Sequence, residues 1–345
     1  MAKIGIIGAG SWGTALSKLL SNNGNEVCVW SCIEDEITML KTFHEQKDKL
    51  PGVKLSENMT FTSDLKEAMD DKDILVLAVP SPFTRKTASN MAQYIKDGQI
   101  VVNVAKGIED STSMTLSQII EEELPTANVC VLSGPSHAEE VGLGIPTTIV
   151  AGAKTKETAK YLQDVFMSDV FRVYISSDII GMELGAALKN VVALAAGIAD
   201  GLGYGDNTKA ALITRGIAEI ARLGIKMGGR LETFYGLTGI GDLIVTCASM
   251  HSRNRRAGIL IGEGKTYEEA MTEVNQVVEG VYAAKAGLSL SKKYNVSMPI
   301  IEGVNKILFE GYDAGKIVHE LMVREGKVEN SDLRKMYQNT EEVEW

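Results

Sequence analysis

Short runs of β-branched and aliphatic residues recur through the first half of the chain, and helix-like stretches separate them. The runs are Lys3–Ile7, Glu26–Trp30, Asp73–Val79, Gln99–Val104, Asn128–Leu132, Thr147–Val150 and Phe171–Ile175. Most are apolar almost throughout, which is typical of strands covered on both faces, as in a parallel sheet. Strands that alternate with helical segments predict βαβ units, so we expect an α/β fold with a doubly wound sheet.

Near Asp178 the pattern changes to a helical one, and no convincing run of strands follows. The predicted helices are Met182–Ile198, Thr208–Leu223, Asn254–Ile261, Tyr267–Met271, Val281–Lys293 and Ile300–Glu310. We therefore expect two domains, residues 1–178 around the sheet and an all-helical domain over residues 179–345. The charged tail after Arg324 is expected to fray.

Composition narrows the classes of function. The 345 residues carry a net charge of −10, which disfavours a nucleic-acid partner but leaves room for a small anionic substrate in a local basic pocket. Four cysteines without a CxxC pair, and no nearby histidine cluster, argue against a zinc site or disulfides and for the reducing cytoplasm. The most apolar later segment, Val191–Ala199, is too short for a membrane span, which takes ~20 residues.

A glycine motif opens the chain. Gly8, Gly10 and Gly13 form G-x-G-x-x-G directly after the first strand and at the start of a helix. The first glycine permits a tight turn, the second lets a pyrophosphate approach the backbone, and the third lets helix and strand pack closely. With a second strand at Glu26–Trp30, this context predicts a dinucleotide site. A merely tight turn and a signal peptide over Lys3–Leu16 are weaker explanations.

The end of the second strand normally distinguishes NAD from NADP, because an acid there binds the ribose 2′-OH and an arginine binds a 2′-phosphate. Here the strand ends in Trp30-Ser31-Cys32-Ile33, and Glu34 and Asp35 come slightly late. The preference between NAD and NADP stays open at this point.

Two later strand ends carry loops in which a ligand could bind. Lys106 follows one strand and is itself followed by glycine, so it could hold a phosphate or polarise a carbonyl, although it could also be an ordinary surface lysine. The other loop is Ser133–Ala138, which includes His137, the only histidine in a plausible setting for acid–base work.

A better proton carrier is Lys189, in the middle of a helix of small apolar residues. Partial burial there would lower the pKa of the lysine and make it a usable base, unless its ammonium reaches water. Asp242, in the glycine-rich turn Gly236–Leu243, could orient Lys189, bind a substrate hydroxyl or simply cap a helix.

Three arginines stand close together in Ser252-Arg253-Asn254-Arg255-Arg256. In an acidic protein this cluster predicts an anion site, since guanidinium groups and helix-start amides suit a phosphate. A solvated helix start is the alternative.

Taken together, these motifs resemble the bacterial-type NAD(P)-dependent glycerol-3-phosphate dehydrogenases over the chain to about residue 324. The matching segments are residues 8–15, 50–52, 106–107, 133–136, 189–191, 214–216, 239–243, 252–256 and 277–280. The resemblance implies a Rossmann-type N-terminal domain, a helical C-terminal domain and an active site in the cleft between them. It implies reversible reduction of dihydroxyacetone phosphate to sn-glycerol 3-phosphate, which feeds glycerophospholipid synthesis.

The resemblance also implies roles for individual residues. Lys189 is the proton acceptor or donor, and Lys106 stabilises developing negative charge. The implied substrate contacts are Lys106, Gly134, Ser136, Lys189, Asp242, Ser252, Arg253 and Asn254. The implied cofactor contacts are Gly8, Gly10, Ser11, Trp12, Gly13, Cys32, Lys106, Ala138, Arg253, Val277 and Glu279. Many relatives place a basic or polar residue where Cys32 stands, so the resemblance implies NAD or NADP without a preference. It leaves a homodimer open.

Two other functions remain as alternatives. A different two-domain dehydrogenase, for hydroxy acids or keto acids, would lack the arginine cluster and the Gly239–Asp242 loop. A non-catalytic dinucleotide sensor would not need Lys106, Lys189, Asp242 and Arg253 together.

Overall fold

The computed structural model describes residues 1–326, 328 and 329. The described residues form two compact units. The first holds residues 1–106 and 115–179, and the second holds Gly107–Met114 and the residues from Ile180 onward. The tail after Arg324, which we expected to fray, lies almost wholly outside the described residues.

The first unit alternates strands and helices. Its elements are β1 (Lys3–Ile7), α1 (Ser11–Asn22), β2 (Glu26–Trp30), α2 (Glu34–Phe43), β3 (Thr60–Thr62), α3 (Leu65–Met69), β4 (Ile74–Leu77), α4 (Thr84–Met91), β5 (Ile100–Asn103), α5 (Leu116–Glu123), β6 (Asn128–Ser133), α6 (Ala138–Gly142), β7 (Thr147–Gly152), α7 (Lys156–Phe166) and β8 (Phe171–Ser176). All seven predicted strands are present, and the bounds of β1 and β2 are those predicted. β3 was not predicted, because a run of only three residues gives too short a pattern to indicate a strand.

The eight strands form one sheet in the order β3-β2-β1-β4-β5-β6-β7-β8. Neighbouring strands are parallel except for β6 and β7, which are antiparallel, so this pair departs from the parallel arrangement that the apolar runs indicated. The short helix α6 gives a physical reason. The connection between β6 and β7 contains only this five-residue helix, whereas parallel neighbours are usually joined through a longer crossover helix.

Apolar side chains of the central strands pack on both faces of the sheet. Ile74 and Val76 of β4 lie in a core with α1, α2 and α7, whereas Leu75 and Leu77 lie in a core with α3, α4 and α5. This two-sided burial explains why the runs in the sequence are continuously apolar. It also leaves the carboxyl ends of the strands as the edge where loops can carry chemistry.

The second unit is helical in its described part. Its helices are α8 (Ile179–Gly201), α9 (Asp206–Lys226), α10 (Leu231–Phe234), α11 (Asp242–Ala248), α12 (Arg253–Gly262), α13 (Tyr267–Val274), α14 (Glu279–Lys293), α15 (Pro299–Phe309) and α16 (Ala314–Met322). The six predicted helices are confirmed with small shifts at their ends. α10, α11 and α16 were missed because the first two are short and flank the glycine-rich turn, and α16 follows the last predicted element.

Helix α8 is the centre of this core, and 18 of its 23 residues are buried. By length and hydropathy it is the one described helix that could cross a membrane, but 83% of its most apolar window is buried inside the protein, as in the core helix of a soluble domain. The observed helix is longer than the predicted Met182–Ile198, and its burial, not its length, is what argues against a membrane span.

Two glycines of α8 face two glycines of α12. A Cβ added at Gly197 would lie 2.2 Å from the Arg255 carbonyl oxygen, and one added at Gly258 would lie 2.2 Å from the Leu194 carbonyl oxygen. Gly201 and Gly262 repeat this arrangement one turn later. The close approach expected from the small residues of α8 is therefore present, and it sets the first turn of α12 against the helix that carries Lys189.

Candidate active site

The turn between β1 and α1 depends on glycine. Gly8 has φ +125°, and its N–H donates to the Trp30 carbonyl oxygen at 2.9 Å. A Cβ at Gly8 would lie 2.7 Å from the Ala78 carbonyl oxygen, and one at Gly13 would lie 2.1 Å from the Gly8 carbonyl oxygen. No other residue type fits this turn, which brings the start of α1 to the carboxyl edge of the sheet.

The start of α1 fits a dinucleotide pyrophosphate. Gly10 is the N-cap of the helix, and no side chain caps it. A Cβ at Gly10 would have no described atom within 4 Å, so open space precedes the helix amides. Ser11 and Trp12 are half-buried in the first turn. The helix amides and the positive end of the dipole can therefore receive the phosphates of NAD or NADP.

Gln46 stabilises this turn, and it was not predicted as a site residue from the sequence. Its buried side chain donates from Nε2 to the Ala9 carbonyl oxygen at 3.0 Å. Because Gln46 is 37 residues away in the chain and belongs to no motif, only the tertiary structure identifies it.

Two further residues of the predicted cofactor set lie in the first unit. Cys32 is exposed, two residues after the end of β2. Ala138 is buried at the first position of α6. Their contact with a cofactor stays a prediction.

Lys106 is held beside the loop that follows β6. The Asn103 side chain, at the end of β5, accepts from the Ala105 N–H at 3.1 Å and fixes the turn that leads to Lys106. Lys106 Nζ donates to the Gly134 carbonyl oxygen at 2.9 Å and lies 3.5 Å from Ser136 Oγ. The structure thus brings together the three predicted residues Lys106, Gly134 and Ser136.

Lys189 and Asp242 form a buried ion pair. Lys189 Nζ lies 2.8 Å from Asp242 Oδ1, and the two side chains are 5% and 2% exposed. Lys189 therefore does not reach water, and the alternative of a lysine extended to solvent was wrong. The carboxylate stabilises the ammonium form of Lys189, which is the form that gives up a proton when a carbonyl is reduced.

Asp242 does not act as a helix cap. The N-cap of α11 is Gly241, and no side chain caps the helix there. Asp242 is the first residue of α11, and its carboxylate points to Lys189 instead.

Thr246 contacts both members of the ion pair, and it was not predicted from the sequence. It accepts from Lys189 Nζ at 2.5 Å and donates to the Asp242 main-chain carbonyl oxygen at 2.6 Å. Thr246 stands four residues after Asp242, so both lie on the same face of α11. That spacing is the signal that could have identified it.

The start of α12 combines an N-cap with arginines of different surroundings. Ser252 accepts from the Arg255 N–H at 3.2 Å and caps the helix. Arg255 pairs with Asp200 at 2.8 Å, so this member of the cluster is structural. Across the residues that the structure describes, no acidic side chain pairs with Arg253, which is half-exposed in the first turn.

Asn254 links three helices. Its Nδ2 donates to Asn190 Oδ1 of α8 at 2.9 Å, and its Oδ1 accepts from the Gly280 N–H of α14 at 2.8 Å. These bonds fix the first turn of α14, which Val277 precedes and Glu279 opens, next to the first turn of α12. Ser252, Arg253, Asn254, Val277 and Glu279 are thereby brought together within the second unit.

The cysteine in this region is chemically inert. Burial raises the pKa of the Cys247 thiol to about 12, so no thiolate nucleophile forms near neutral pH.

Comparison with known proteins agrees with this description. The model of the NAD-dependent glycerol-3-phosphate dehydrogenase N-terminus matches residues 3–159, and the model of its C-terminus matches residues 178–319. The glycerol-3-phosphate dehydrogenase [NAD(P)+] of Agathobacter rectalis is 64% identical over 96% of this chain and 99% of its own length. The corresponding protein of Bacillus subtilis is 52% identical over 98% of this chain and 99% of its own.

Solved structures give the same result. A crystal structure of glycerol-3-phosphate dehydrogenase from Coxiella burnetii superposes with a TM-score of 0.90 at 36% identity, covering 94% of this chain and 99% of that one. The family and the fold expected from the sequence are confirmed.

Proposed function

The chain belongs to the NAD-dependent glycerol-3-phosphate dehydrogenase family, and from that premise we propose that it reduces dihydroxyacetone phosphate reversibly to sn-glycerol 3-phosphate with NADH or NADPH. The product is the backbone of glycerophospholipids. The observation that carries this proposal is the buried Lys189–Asp242 pair, with 2.8 Å between the ammonium and the carboxylate. It occurs in a chain that also has a dinucleotide turn.

Reduction of the substrate carbonyl requires a proton at the C2 oxygen atom. When bound, the nicotinamide supplies the hydride that reduces the carbonyl carbon. Lys189 donates a proton from Nζ to the C2 oxygen of the substrate in this direction and takes it back in oxidation. Asp242 and Thr246 hold the ammonium in one position, so little rearrangement accompanies the transfer.

Positive charges bind the rest of the substrate. We place its phosphate at the start of α12, where Ser252, Arg253 and Asn254 provide a guanidinium group and helix amides. We assign to Lys106 the stabilisation of negative charge that develops on the C2 oxygen, and to Gly134 and Ser136 further contacts with the substrate.

The remaining predicted residues are assigned to the cofactor. The amides at Gly10–Gly13 would hold its pyrophosphate, with Ser11 and Trp12 beside it. Cys32, Ala138, Arg253, Val277 and Glu279 are proposed as further contacts. The alternative substrates, hydroxy acids and keto acids, are not favoured, because both matching family models describe glycerol-3-phosphate dehydrogenases.

The test is turnover of dihydroxyacetone phosphate, followed by the loss of NADH or NADPH absorbance. The variant is Lys189→Met/Asp242→Asn, which removes the proton donor without leaving an unpaired buried charge. We expect kcat to fall about 10²–10⁴-fold, as for the loss of a general acid, with cofactor binding retained. Lys226→Ala, at the exposed end of α9, is the control and should keep wild-type kcat.

Two outcomes would contradict the proposal. Near-wild-type kcat in the double variant would remove Lys189 from the mechanism. Folded wild-type protein that binds cofactor but turns over no dihydroxyacetone phosphate would favour the sensor alternative.

We also infer a cytoplasmic location, and the activity is compatible with a homodimer. All four cysteines are free, which suits a reducing compartment. Fractionation of the cell and sedimentation of the purified protein test these two inferences.

A further inference from the structure

We propose that the turn between β2 and α2, residues 31–36, makes this protein select NADH over NADPH. The inference rests on the proposed function, since it concerns the adenosine end of the same cofactor. The turn follows the second strand of the βαβ unit, and the Gly8–Trp30 hydrogen bond holds the end of β2 beside the dinucleotide turn. In this fold, residues at that position contact the ribose that carries either a 2′-hydroxyl or a 2′-phosphate.

The exposed part of the turn offers no cation. Residues 30–40 contain three acids and no lysine or arginine. Cys32 and Ile33 are exposed at the tip, where a 2′-phosphate would need a basic partner. A thiol is at best a weak hydrogen-bond donor, and the isoleucine side chain has no polar atom.

One base that contacts the turn is already neutralised. Lys49 forms an ion pair with Glu36 Oε1, and Ser31 Oγ donates to Glu36 Oε2 at 2.6 Å. Ser31 Oγ also accepts from the Ile33 N–H at 3.2 Å. These contacts lock the turn in one shape and occupy Lys49, so this lysine is a poor partner for a phosphate.

The acids also offset the attraction of the helix for anions. A helix N-terminus attracts a phosphate, but Glu34, Asp35 and Glu36 all lie in the first turn of α2. The carboxylates of Glu34 and Asp35 are exposed. They can accept hydrogen bonds from ribose hydroxyls, whereas they repel a 2′-phosphate, which carries about −1.5 to −2 charges near pH 7.

The neighbouring strand adds no net positive charge. The Ser31 N–H donates to the Thr62 carbonyl oxygen at 3.3 Å, which places the end of β3 beside the turn. Asp64 caps α3, Glu67 accepts from Thr62 Oγ1, and Lys66 is the one base between them.

The test measures binding without turnover. Calorimetry compares ADP-ribose with 2′-phospho-ADP-ribose, and NADH with NADPH, in wild-type protein. Because the carboxylates of the turn repel the 2′-phosphate, we expect wild type to bind each form without this phosphate about tenfold more tightly. The difference in affinity between the two forms should become smaller at high salt, because salt screens the exposed carboxylates of Glu34 and Asp35.

A variant with added positive charge should bind the 2′-phosphorylated ligand more tightly. Ile33→Arg/Asp35→Asn supplies a guanidinium group and removes one carboxylate, so affinity for 2′-phospho-ADP-ribose should rise about tenfold. Ile33→Gln/Asp35→Asn has no added positive charge and separates that effect from loss of the native side chains. Glu157→Gln, an exposed first-turn acid of α7, is the matched control and should bind both ligands like wild type.

The outcomes distinguish this inference from the proposed function. Equal or tighter binding of the 2′-phosphorylated forms by wild type would overturn the inference and leave the dehydrogenase proposal intact. Failure to bind ADP-ribose and NADH at all would instead overturn the cofactor assignment itself. An unchanged preference in Ile33→Arg/Asp35→Asn would show that this turn does not contact the ribose, and would also overturn the inference.

Discussion

A lysine buried among small apolar side chains must find its counter-charge inside the protein, because an unpaired ammonium there would be strongly destabilising. Lys189 finds it in Asp242, and Thr246 takes a second hydrogen bond from the same ammonium. The ion pair and the hydrogen bond to Thr246 hold the Lys189 side chain in one direction. In the proposed mechanism, Lys189 is a proton donor with a fixed position.

Removal of one hydroxyl tests that positioning. Thr246→Val keeps the volume of the side chain but leaves Lys189 with one acceptor fewer. A hydrogen bond to a charged group contributes about 1.5–3 kcal/mol, so we expect kcat to fall roughly ten- to hundredfold. We also expect the pH profile of kcat to shift, with KM changed much less. Steady-state kinetics as a function of pH provide the measurement.

Two further variants separate positioning from packing. Thr246→Ser restores the hydroxyl and should recover most of kcat. Thr272→Val removes a hydroxyl that bonds to a main-chain carbonyl four residues earlier in the same way, at 2.8 Å, but lies on the exposed helix α13. A Thr246→Val enzyme with the kcat and pH profile of wild type would rule out a positioning role.

At the scale of elements, α8 and α12 are joined through their backbones. The glycine pairs Gly197–Gly258 and Gly201–Gly262 bring the two helices together with no side chain between them. Because Lys189 lies on α8 and Arg253 opens α12, this contact sets the position of the proposed proton donor relative to the proposed phosphate site.

One added methyl group should force these helices apart. In Gly258→Ala the new Cβ would lie 2.2 Å from the Leu194 carbonyl oxygen, and neither backbone can yield locally. Overpacking of this kind costs about 1–3 kcal/mol or more, so we expect a lower thermal midpoint. Gly205→Ala is the control, since nothing lies within 4 Å of its Cβ position. Equal midpoints for the two variants would contradict the role given to the glycine pairs.

At the scale of the whole molecule, each unit has its own core, and the core of the helical unit contains an ionisable acid. Glu219 of α9 is 3% exposed and accepts from the Ile300 N–H at the start of α15, at 3.0 and 3.1 Å. Burial raises the pKa of Glu219 to about 7, although the Ile300 N–H, Arg222 and the Ile301 N–H act in the opposite direction and Glu302 adds to the rise. The folded protein therefore holds this proton more tightly than the unfolded chain.

The sign of the pH effect follows from that shift. Stability from protonated Glu219 is fully present below about pH 4.5, the value for an unburied glutamate, and is lost as pH rises through about 7. Between these values the free energy of unfolding should fall by about 1 kcal/mol per pH unit from this group. Glu219→Gln cannot titrate, so the pH dependence of its unfolding midpoint should lack the contribution of Glu219.

The measurement compares unfolding midpoints of wild type and Glu219→Gln from pH 5 to pH 8, and the difference cancels the titration of other groups. Glu310→Gln, an exposed acid at the end of α15, is the control and should keep the wild-type slope. Parallel pH profiles for wild type and Glu219→Gln would mean that Glu219 does not change its protonation on folding.

Local periodicity and turn chemistry were enough to predict much of this molecule. The strands β1 and β2, the dinucleotide turn and six helices of the second half follow from patterns that involve neighbouring residues. The candidate site residues Lys106, Lys189, Asp242 and Arg253 were also identified from motifs, and their functional roles stay predictions. Such features can be predicted from the sequence because residues close together in the chain determine them.

Other features depended on contacts between distant parts of the chain. Lys189 and Thr246 are 57 residues apart, and no local pattern states that one accepts from the other. The antiparallel pairing of β7, the assignment of Gly107–Met114 to the helical unit and the support of Ala9 by Gln46 are of the same kind. The sequence by itself determined which segments are strands, which are helices and where charged groups cluster. Only the tertiary structure decided which buried groups become partners, because a buried charge takes whatever counter-charge the packing of the whole chain brings within reach.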